Sequence, residues 1–283
     1  PTNGVLSLGG TAVTAGQVIS AANLGNLTFT PAANANGTAL ASFTFQVRDN
    51  GGTANGGQDT DQSPNSFTFN VTAVNDAPVN TLPASFGTNE DTALSLAGLQ
   101  VSDVDAGSGS IIVTLRVNSG TLAATGGSGV TVSGSGSGTL VLTGTLSNIN
   151  GFLAAAGTRP VFNPAANANG AVTLTMVTND NGNTGSGGAL SDTDTATISV
   201  APVNDAPVGS DTAITTNEDT AFSGTLPVAT DVDGDSLTYG AGSIAPSHGT
   251  VVVNPNGTYT YTPSANFNGA DSFTYSVTDG TVT

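Results

Sequence analysis

Apolar and polar residues alternate along several short segments of this chain. The clearest segments place apolar side chains at Phe43, Phe45 and Val47, at Phe67, Phe69 and Val71, at Ala196, Ile198 and Val200, and at Phe273, Tyr275 and Val277. A period of two is typical of β-strands that bury one face. Short strands with turn signals about every 8–12 residues predict a Greek-key β-sandwich.

Turn signals separate these strands, and helix signals are rare. The sequence NPNG at Asn254–Gly257 lies between two β-type runs and predicts a hairpin turn. The Gly/Ser-rich stretch at residues 126–138 predicts a hairpin or β-bulge region rather than a phosphate loop, because no helix start follows it directly. The sequence SNINGFLAAAG predicts one short helix that Ser147 caps and that ends near Gly157. The predicted class is therefore all-β, with one short helix at most.

The chain contains copies of one structural unit. Four strings recur in the same order: VNDAPV at Val74 and Val203, TNEDTA at Thr88 and Thr216, DVD at Asp103 and Asp231, and PAANANG at Pro31 and Pro164 with PSANFNG at Pro263. Repetition of whole strings in register indicates a tandem array of domains.

These strings divide the chain into three repeats. We expect the C-terminal part of one repeat at residues 1–74, a complete long repeat at 75–203, and a short repeat at 204–283. They are called the first, middle and last repeats below. The last strands of the first and middle repeats, SFTFNVTAV and TATISVAPV, have no counterpart in the last repeat. We expect either that the last repeat is trimmed there, or that a neighbouring chain, for example an identical chain in a fibre, supplies a strand at the open edge after Thr283.

Acidic residues greatly outnumber basic ones. The chain has 20 Asp and Glu residues against three Lys and Arg residues, for a formal net charge of −17. So few cations exclude nucleic-acid binding and argue against docking on anionic membranes. No apolar run is long enough to insert in a membrane. The absence of cysteine fits the cytosol or a large secreted bacterial protein that relies on metals, and the acidic, lysine-free composition favours the second.

The acidic residues concentrate on repeated positions. The VNDAP string links one repeat to the next, and a sandwich places the DVD loop and the aspartate at the end of the FTFQV-type strand beside that linker. Two carboxylates about 4 Å apart repel by about 1 kcal/mol in water and about 4 kcal/mol at an effective dielectric of 20. Such a cluster therefore needs a cation, and hard oxygen ligands favour Ca²⁺ over zinc or copper. The alternative, a set of solvated acidic loops, does not explain why all three motifs recur together.

The same strings resemble a known family. NEDT, DVDGDSLTY, NPNGTYTYTPSANFNG and DSFTYSVTDG in the last repeat are similar to the bacterial cadherin-like tandem repeats (VCBS or tandem-95-like) of large RTX-type surface adhesins. The resemblance implies calcium bound between consecutive domains by an Asn-Asp linker, a DxD pair, a strand-end aspartate and a glutamate on the first strand.

Carried onto this sequence, the resemblance implies two sets of calcium ligands. The first-junction cluster comprises Asn75, Asp76, Asp103, Asp105 and Asp180. The second-junction cluster comprises Glu90, Asn204, Asp205, Asp231, Asp233 and Asp279. One cadherin acidic motif is missing, and the PAANANG-type loop takes its place with the neutral oxygens of Asn34 and Asn167. Further candidate metal ligands are Asp59, Asp61, Asp192, Asp194 and Asp235, which are either an additional loop site or solvated side chains.

Three classes of function remain to be weighed. The favoured one is a non-enzymatic extracellular extender of a bacterial surface adhesin or fibre, in which Ca²⁺ stiffens the links between neighbouring repeats. The alternative is a calcium-dependent carbohydrate- or protein-binding adhesion module, although the chain has no Trp and four Tyr in strand-like runs. An enzyme is disfavoured, because the single histidine, His248, lies in a turn sequence and no nucleophilic triad can be assembled without cysteine or lysine.

Overall fold

β-Strands make up almost all of the regular structure. A computed structural model describes residues 1–281, which form 21 strands, one α-helix and two short 3-10 helices. The predicted all-β class of tandem β-sandwiches is therefore confirmed. Among these residues, none of the helices has the length and apolar character needed to cross a membrane.

The first repeat forms two small sheets. Its strands are β1 (Gly4–Leu8), β2 (Thr11–Ala12), β3 (Leu27–Pro31), β4 (Gly37–Phe45) and β5 (Asn65–Val71), and its 3-10 helices are Ala21–Asn26 and Ala54–Gly56. One sheet has the order β2-β1-β3, and β4 pairs antiparallel with β5 in the other.

The aromatic face of the first repeat is only partly covered. The rings of Phe29 and Phe69 stack with centroids 4.0 Å apart, and those of Phe43 and Phe67 lie 5.6 Å apart. Phe67 is nevertheless 50% exposed, because the rings pack on one another more than on a second layer. The alternation therefore predicted β4 and β5, although β4 ends at Phe45 and Val47 lies beyond it, and it overstated how much of their apolar face is buried.

The middle repeat is the most complete of the three. Its strands are β6 (Val79–Thr81), β7 (Ser85–Asn89), β8 (Leu94–Ser95), β9 (Gln100–Ser102), β10 (Ser110–Val117), β11 (Thr121–Ala123), β12 (Thr131–Ser133), β13 (Thr139–Thr145), β14 (Val161–Asn163), β15 (Gly170–Asn179) and β16 (Ser191–Ala201), and its helix is α1 (Leu146–Ala154). The main sheet has the order β12-β13-β10-β15-β16-β7. Smaller sheets contain β11-β14-β8 and β6-β9.

Alternating residues of the main sheet fill a closed core in the middle repeat. Leu142, Met176 and Ile198, on three different strands, are all 0% exposed. Helix α1 adds Phe152, which is also fully buried. The predicted helix is present, but Thr145 caps it by accepting a hydrogen bond from the Asn148 amide, so the assignment of Ser147 as the cap is wrong by two residues. Both residues have the right chemistry, and the bend at the end of β13 decides between them.

The last repeat has a smaller core. Its strands are β17 (Phe222–Thr225), β18 (Thr238–Ala241), β19 (Gly249–Val253), β20 (Thr258–Pro263) and β21 (Tyr275–Thr278). One sheet has the order β17-β20-β19, and β18 pairs with β21 in the other. The predicted NPNG turn joins β19 to β20 through a hydrogen bond from the Gly257 amide to the Asn254 carbonyl at 2.9 Å. A cluster around Leu226, Tyr259 and Tyr261 forms the core.

Contacts between Cα atoms divide the chain into two compact units. One consists of Pro1–Thr88, Thr92–Ala165 and Ala171–Ser199, and the other of Asn89–Asp91, Ala166–Gly170 and Val200–Thr283. The division of the chain into repeats at 1–74, 75–203 and 204–283 stays a prediction.

Asp271 ties a loop of the last repeat to its core. Its carboxylate accepts hydrogen bonds from the amides of Ser247 and His248, both at 2.9 Å, and from the hydroxyl of Tyr261 at 2.9 Å. Burial acts to raise the pKa of Asp271, but these hydrogen bonds outweigh it, and the pKa lies below its ordinary value.

The core of the middle repeat gives a test of the strand register. Leu142 on β13 points inward and is fully buried, whereas its neighbour Val141 points to the other face. We expect Leu142→Ala to lower the free energy of unfolding by about 2–5 kcal/mol. Val141→Ala should cost less than about 1 kcal/mol. Urea denaturation followed by far-UV circular dichroism measures both values, and equal losses would contradict the register.

Asp271 gives a test that depends on pH. Because its pKa is lower in the folded chain, the ionised carboxylate stabilises the fold above the unfolded pKa of about 3.9, and this stability is lost as pH falls through the folded pKa. Asp271→Asn should therefore lower the melting temperature at pH 7, and the difference should shrink below about pH 4.

Tyrosine fluorescence reports this transition selectively, because all four tyrosines lie in the last repeat and tryptophan is absent. Asp211→Asn, which removes an exposed carboxylate from the same repeat, is the matched control. A loss that is constant from pH 7 to pH 3 would show that ionisation of Asp271 plays no part.

Candidate metal sites

The first-junction cluster forms around the linker that follows β5. The backbone amide of Asp76 donates to Oδ2 of Asp105 at 3.0 Å. Within the DVD loop, the amide of Asp105 donates to Oδ1 of Asp103 at 3.1 Å. On the other side of the linker, Nδ2 of Asn75 donates to Oδ2 of Asp180 at 2.6 Å. The structure thus brings together all the residues that the sequence assigned to this cluster.

The second-junction cluster repeats the same hydrogen bonds. The Asp205 amide donates to Oδ2 of Asp233 at 2.7 Å, and the Asp233 amide donates to Oδ1 of Asp231 at 2.9 Å. Nδ2 of Asn204 donates to Oδ2 of Asp279 at 2.6 Å. Three equivalent bonds at equivalent positions show that the VNDAPV, DVD and strand-end motifs specify one local structure.

Glu90 completes the second-junction cluster from the end of β7. Its side chain is 2% exposed, and Oε1 accepts a hydrogen bond from the Val203 amide at 2.7 Å. Oε2 lies 3.5 Å from Nδ2 of Asn169 in the PAANANG loop. Glu90 therefore fixes the linker directly, as well as adding a negative charge close to Asp205.

Several buried oxygen atoms in both clusters lack a hydrogen-bond donor. Among the residues that the structure describes, these atoms are Asn75 Oδ1, Asp103 Oδ2 and Asp105 Oδ1 in the first cluster, and Asp205 Oδ2 and Asp231 Oδ2 in the second. A buried carboxylate oxygen without a partner is costly, because it loses its hydration and gains nothing in return. In each cluster, some oxygen atoms therefore accept hydrogen bonds from the protein, whereas others are buried without a hydrogen-bond donor.

In each cluster, the pKa of one aspartate is raised above its ordinary value. Burial raises the pKa of Asp103, and the neighbouring Asp105 carboxylate adds to the effect. Burial also raises the pKa of Asp205, followed by the negative charge of Asp233. The salt bridge found within residues 1–281 joins Arg48 to Asp59 at 2.8 Å, outside both clusters. Protein cations therefore do not neutralise the carboxylates whose pKa is raised.

The fit to a metal ion can be tested on these atoms. The unpartnered donors are carboxylate and amide oxygens, which is the ligand chemistry of a hard divalent cation such as Ca²⁺. In the last repeat, Asp231, Asp233 and Asp235 each offer one oxygen, and these oxygens lie within 4.8 Å of one another. The residues present thus fit a calcium ion, and the assignment of individual ligands stays a prediction.

Asp235 has no acidic counterpart in the middle repeat, where Gly107 stands at the equivalent position after the DVD loop. It also lines an open polar cleft of about 400 Å³ together with Asn167, Asn169, Asn204 and Asp233. With Glu90 and Asp235, the second cluster therefore carries two more carboxylates than the first.

The remaining candidate ligands have protein partners of their own. Asp59 pairs with Arg48, and the Thr60 hydroxyl, as the main cause, holds the pKa of Asp59 below its ordinary value. Asp61 accepts hydrogen bonds from the Ser63 amide and from Asn65, both at 2.9 Å. These contacts explain both residues as stabilisers of a loop in the first repeat.

Asp192 has a structural role that the sequence did not reveal. Its Oδ2 accepts a hydrogen bond from the Asn80 amide at 2.7 Å, and Asn80 Oδ1 in turn accepts one from Thr178 at 2.5 Å. This buried network joins β16 and β15 to β6. Asp194, two residues further along β16, lies half-buried on the same strand.

Two further aspartates position the PAANANG-type loops. Asn34 and Asn167 both have positive φ angles, of 60° and 55°. The Asn167 amide donates to Asp91 at 3.2 Å, and the equivalent Asn266 amide donates to Asp219 at 2.8 Å. The sequence analysis overlooked these aspartates, although their repetition within NEDT was a usable signal.

The chain was compared with known proteins. The sequence model of the bacterial Ig domain matches residues 1–72 and 204–283, which together are more than half of the chain. Among curated proteins, no sequence matches significantly.

Solved structures with similar folds include cadherin domains. Extracellular cadherin domains 1–5 of protocadherin gamma B2 are 17% identical, with 93% of this chain and 44% of that chain covered and a TM-score of 0.43. Domains EC22–24 of mouse cadherin-23 are 17% identical, with 94% and 74% covered and a TM-score of 0.41. An endo-fucoidan hydrolase of glycoside hydrolase family 107 is 19% identical, with 98% and 37% covered and a TM-score of 0.24.

This chain spans less than half the length of the first of these structures. At such low TM-scores, the similarities assign no function to it. The match to the sequence model rests on more than half of the residues, and it agrees with the all-β sandwiches described above. The chain belongs to the bacterial Ig domain family.

Proposed function

We propose that this chain is an extracellular extender segment of a bacterial surface adhesin or fibre, in which Ca²⁺ bound at the linkers stiffens successive repeats. The observation that carries the proposal is the set of buried, unpartnered oxygens that recurs at both linkers. A structural or adhesive role agrees with membership of the bacterial Ig domain family.

The protein side of the mechanism is preorganisation. The linker amides of Asp76 and Asp205 each bind one carboxylate oxygen of the following DVD loop. These hydrogen bonds hold the loop against the linker and leave other oxygens of each cluster without a hydrogen-bond partner among the described residues. Bound calcium supplies the positive charge that these oxygens lack, so its binding free energy stabilises one arrangement of linker and loop.

Glu90 holds the second linker through both its side chain and its backbone. Its carboxylate holds the Val203 amide, and its backbone amide donates to the Ala201 carbonyl at 2.9 Å. The linker is therefore fixed by Glu90 at Val203 and by Asp233 at Asp205. Extracellular modules commonly bind calcium with dissociation constants of about 10⁻⁴–10⁻³ M, so such a linker would be stiff outside the cell and mobile before export.

A substitution at Asp231 separates metal binding from loop structure. Oδ1 of Asp231 accepts the Asp233 amide, whereas Oδ2 is the unpartnered oxygen. Asp231→Asn can keep the first hydrogen bond while it removes the charge and replaces the unpartnered oxygen by an uncharged NH₂ group. In EDTA we expect the variant to be at least as stable as the parent, because it loses an uncompensated carboxylate. At a calcium concentration 100 times the dissociation constant, the parent should gain about 2.7 kcal/mol and the variant markedly less.

Thermal melting followed by tyrosine fluorescence measures this difference in the last repeat, with Asp211→Asn as the control for removal of one charge. If Asp231→Asn destabilises the chain equally in EDTA and in calcium, its role is structural and the calcium proposal fails at this linker.

The stiffening itself needs a measurement of shape. Small-angle scattering of the parent chain should show a narrower distribution of conformations in calcium than in EDTA, because the bound linkers lose freedom. Asp103→Asn combined with Asp231→Asn should leave the profile close to that of the EDTA state under both conditions. If calcium raises the melting temperature but leaves the scattering profile unchanged, the chain binds the ion. The proposal that calcium stiffens the linkers would then be wrong.

A further inference from the structure

The last repeat contains an open groove whose lining mixes polar and apolar side chains. The groove has a volume of about 900 Å³ and is lined on one wall by residues 207–218 and on the other by residues 267–277, with Leu226 and Tyr259 among the lining side chains. Tyr275 reaches across one end, where its hydroxyl donates to the Ser210 carbonyl at 2.5 Å. Phe273 and Tyr275 are only partly buried, although both pack on the core cluster.

The middle repeat shows what occupies the equivalent position. There, β16 lies between β15 and β7 in the main sheet. The inward side chains Ala196, Ile198 and Val200 of β16 are 4%, 0% and 4% exposed, so this strand closes the core. In the first repeat, β5 likewise pairs antiparallel with β4.

The repeated strings fix the correspondence between the two repeats. TNEDTA aligns β7 with residues 213–217, and the strand-end aspartates Asp180 and Asp279 align β15 with β21. Residues 213–217 form no strand within the part of the chain that the structure describes, and β21 has four residues where β15 has ten. The groove thus lies where a β16-type strand would pair with β21 on one side and residues 213–217 on the other.

The residue that binds Asp192 in the middle repeat also has an equivalent in the groove of the last repeat. In the middle repeat, Asp192 at the start of β16 accepts the amide of Asn80. The VNDAPV alignment places Gly209 at the position of Asn80, and Gly209 lines the groove. An incoming strand with an aspartate at this position would bind the Gly209 amide as Asp192 binds that of Asn80.

We propose that this groove accepts one added β-strand with the residue pattern of Ser191–Pro202, in which the alternate inward positions hold Asp192 and Asp194 at the start and then the uncharged Ala196, Ile198 and Val200. Backbone hydrogen bonds to β21 would supply affinity, and the inward side chains would supply specificity. The proposal concerns the core of the last repeat and holds whether or not calcium binds at the linkers.

The test uses the complete chain and a synthetic peptide of residues 191–202, which contains no tyrosine. We expect saturable binding of one peptide per chain, seen as a change in tyrosine fluorescence, and a melting temperature raised by a few degrees. Hydrogen exchange should slow at residues 273–278, where the ladder would extend. All three measurements are made in EDTA and in calcium, so a failure of calcium binding does not affect the result.

Two peptide variants form a matched pair. Replacing Ile198 by Asp places a charge on the inward face and should weaken binding by about tenfold or more, because a charge would be buried without a partner. Replacing Thr197 by Asp changes the outward face and should leave binding within a few-fold. Equal affinity of the two variants, or slower exchange outside the groove walls, would overturn the proposal.

A fusion variant tests the proposal even where the free peptide binds weakly. Fusing residues 191–202 after Thr283 through a flexible Gly/Ser linker raises the effective concentration to about the millimolar range. The fused strand should raise the tyrosine-reported melting temperature, and the same strand with Ile198→Asp should not. No rise with the unmodified strand would overturn the proposal. Concentration-dependent self-association that protects residues 273–278 without any added strand would instead identify a second copy as the occupant, and would also overturn it.

Discussion

The structure depends on an electrostatic constraint at the linkers between repeats. Each linker gathers carboxylates that the fold holds in place, yet the chain contains only three arginines and no lysine to neutralise them. The backbone amides of Asp76 and Asp205 satisfy one side of each cluster. Asp103 Oδ2 and Asp231 Oδ2 are buried without a donor among residues 1–281, so no hydrogen bond within these residues compensates the charge on the other side of each cluster.

Sequence reasoning predicted the fold class, and it selected residues that the structure places near one another, because both follow from local patterns that repeat. Their role as metal ligands stays a prediction. Alternation identified β16 and its inward residues, and the string DVD identified a loop whose oxygens point at the linker. It could not tell that Phe67 stays half-exposed, since exposure depends on what covers the strand and not on the strand itself. For the same reason, Asp192 was taken as a candidate ligand, although its partner, the amide of Asn80, lies 112 residues away in the chain.

The contrast between the middle and last repeats shows how much one strand contributes to a sandwich. In the middle repeat, β16 both closes the core with Ile198 and anchors β6 through Asp192. Without an equivalent strand in the described part of the last repeat, Phe273 and Tyr275 remain partly exposed, and Tyr275 bridges the space with a hydrogen bond to the backbone of Ser210. A tyrosine suits this position because its ring is apolar enough for the core and its hydroxyl satisfies a carbonyl at the rim.

The order Asn-Asp in VNDAPV follows from the different contacts that the two residues make in each cluster. Asn75 must contact the carboxylate of Asp180, which is almost fully buried, and must also present an oxygen to the other ligands. An amide does both, since Nδ2 donates to Asp180 and Oδ1 remains available, whereas an aspartate would place two negative charges within hydrogen-bond distance. The next residue meets the neighbouring Asp105 carboxylate through its backbone amide, so this contact does not require an amide side chain at that position. Asn204 and Asp205 repeat this division with Asp279 and Asp233, which explains why the linker keeps the order Asn-Asp in both copies.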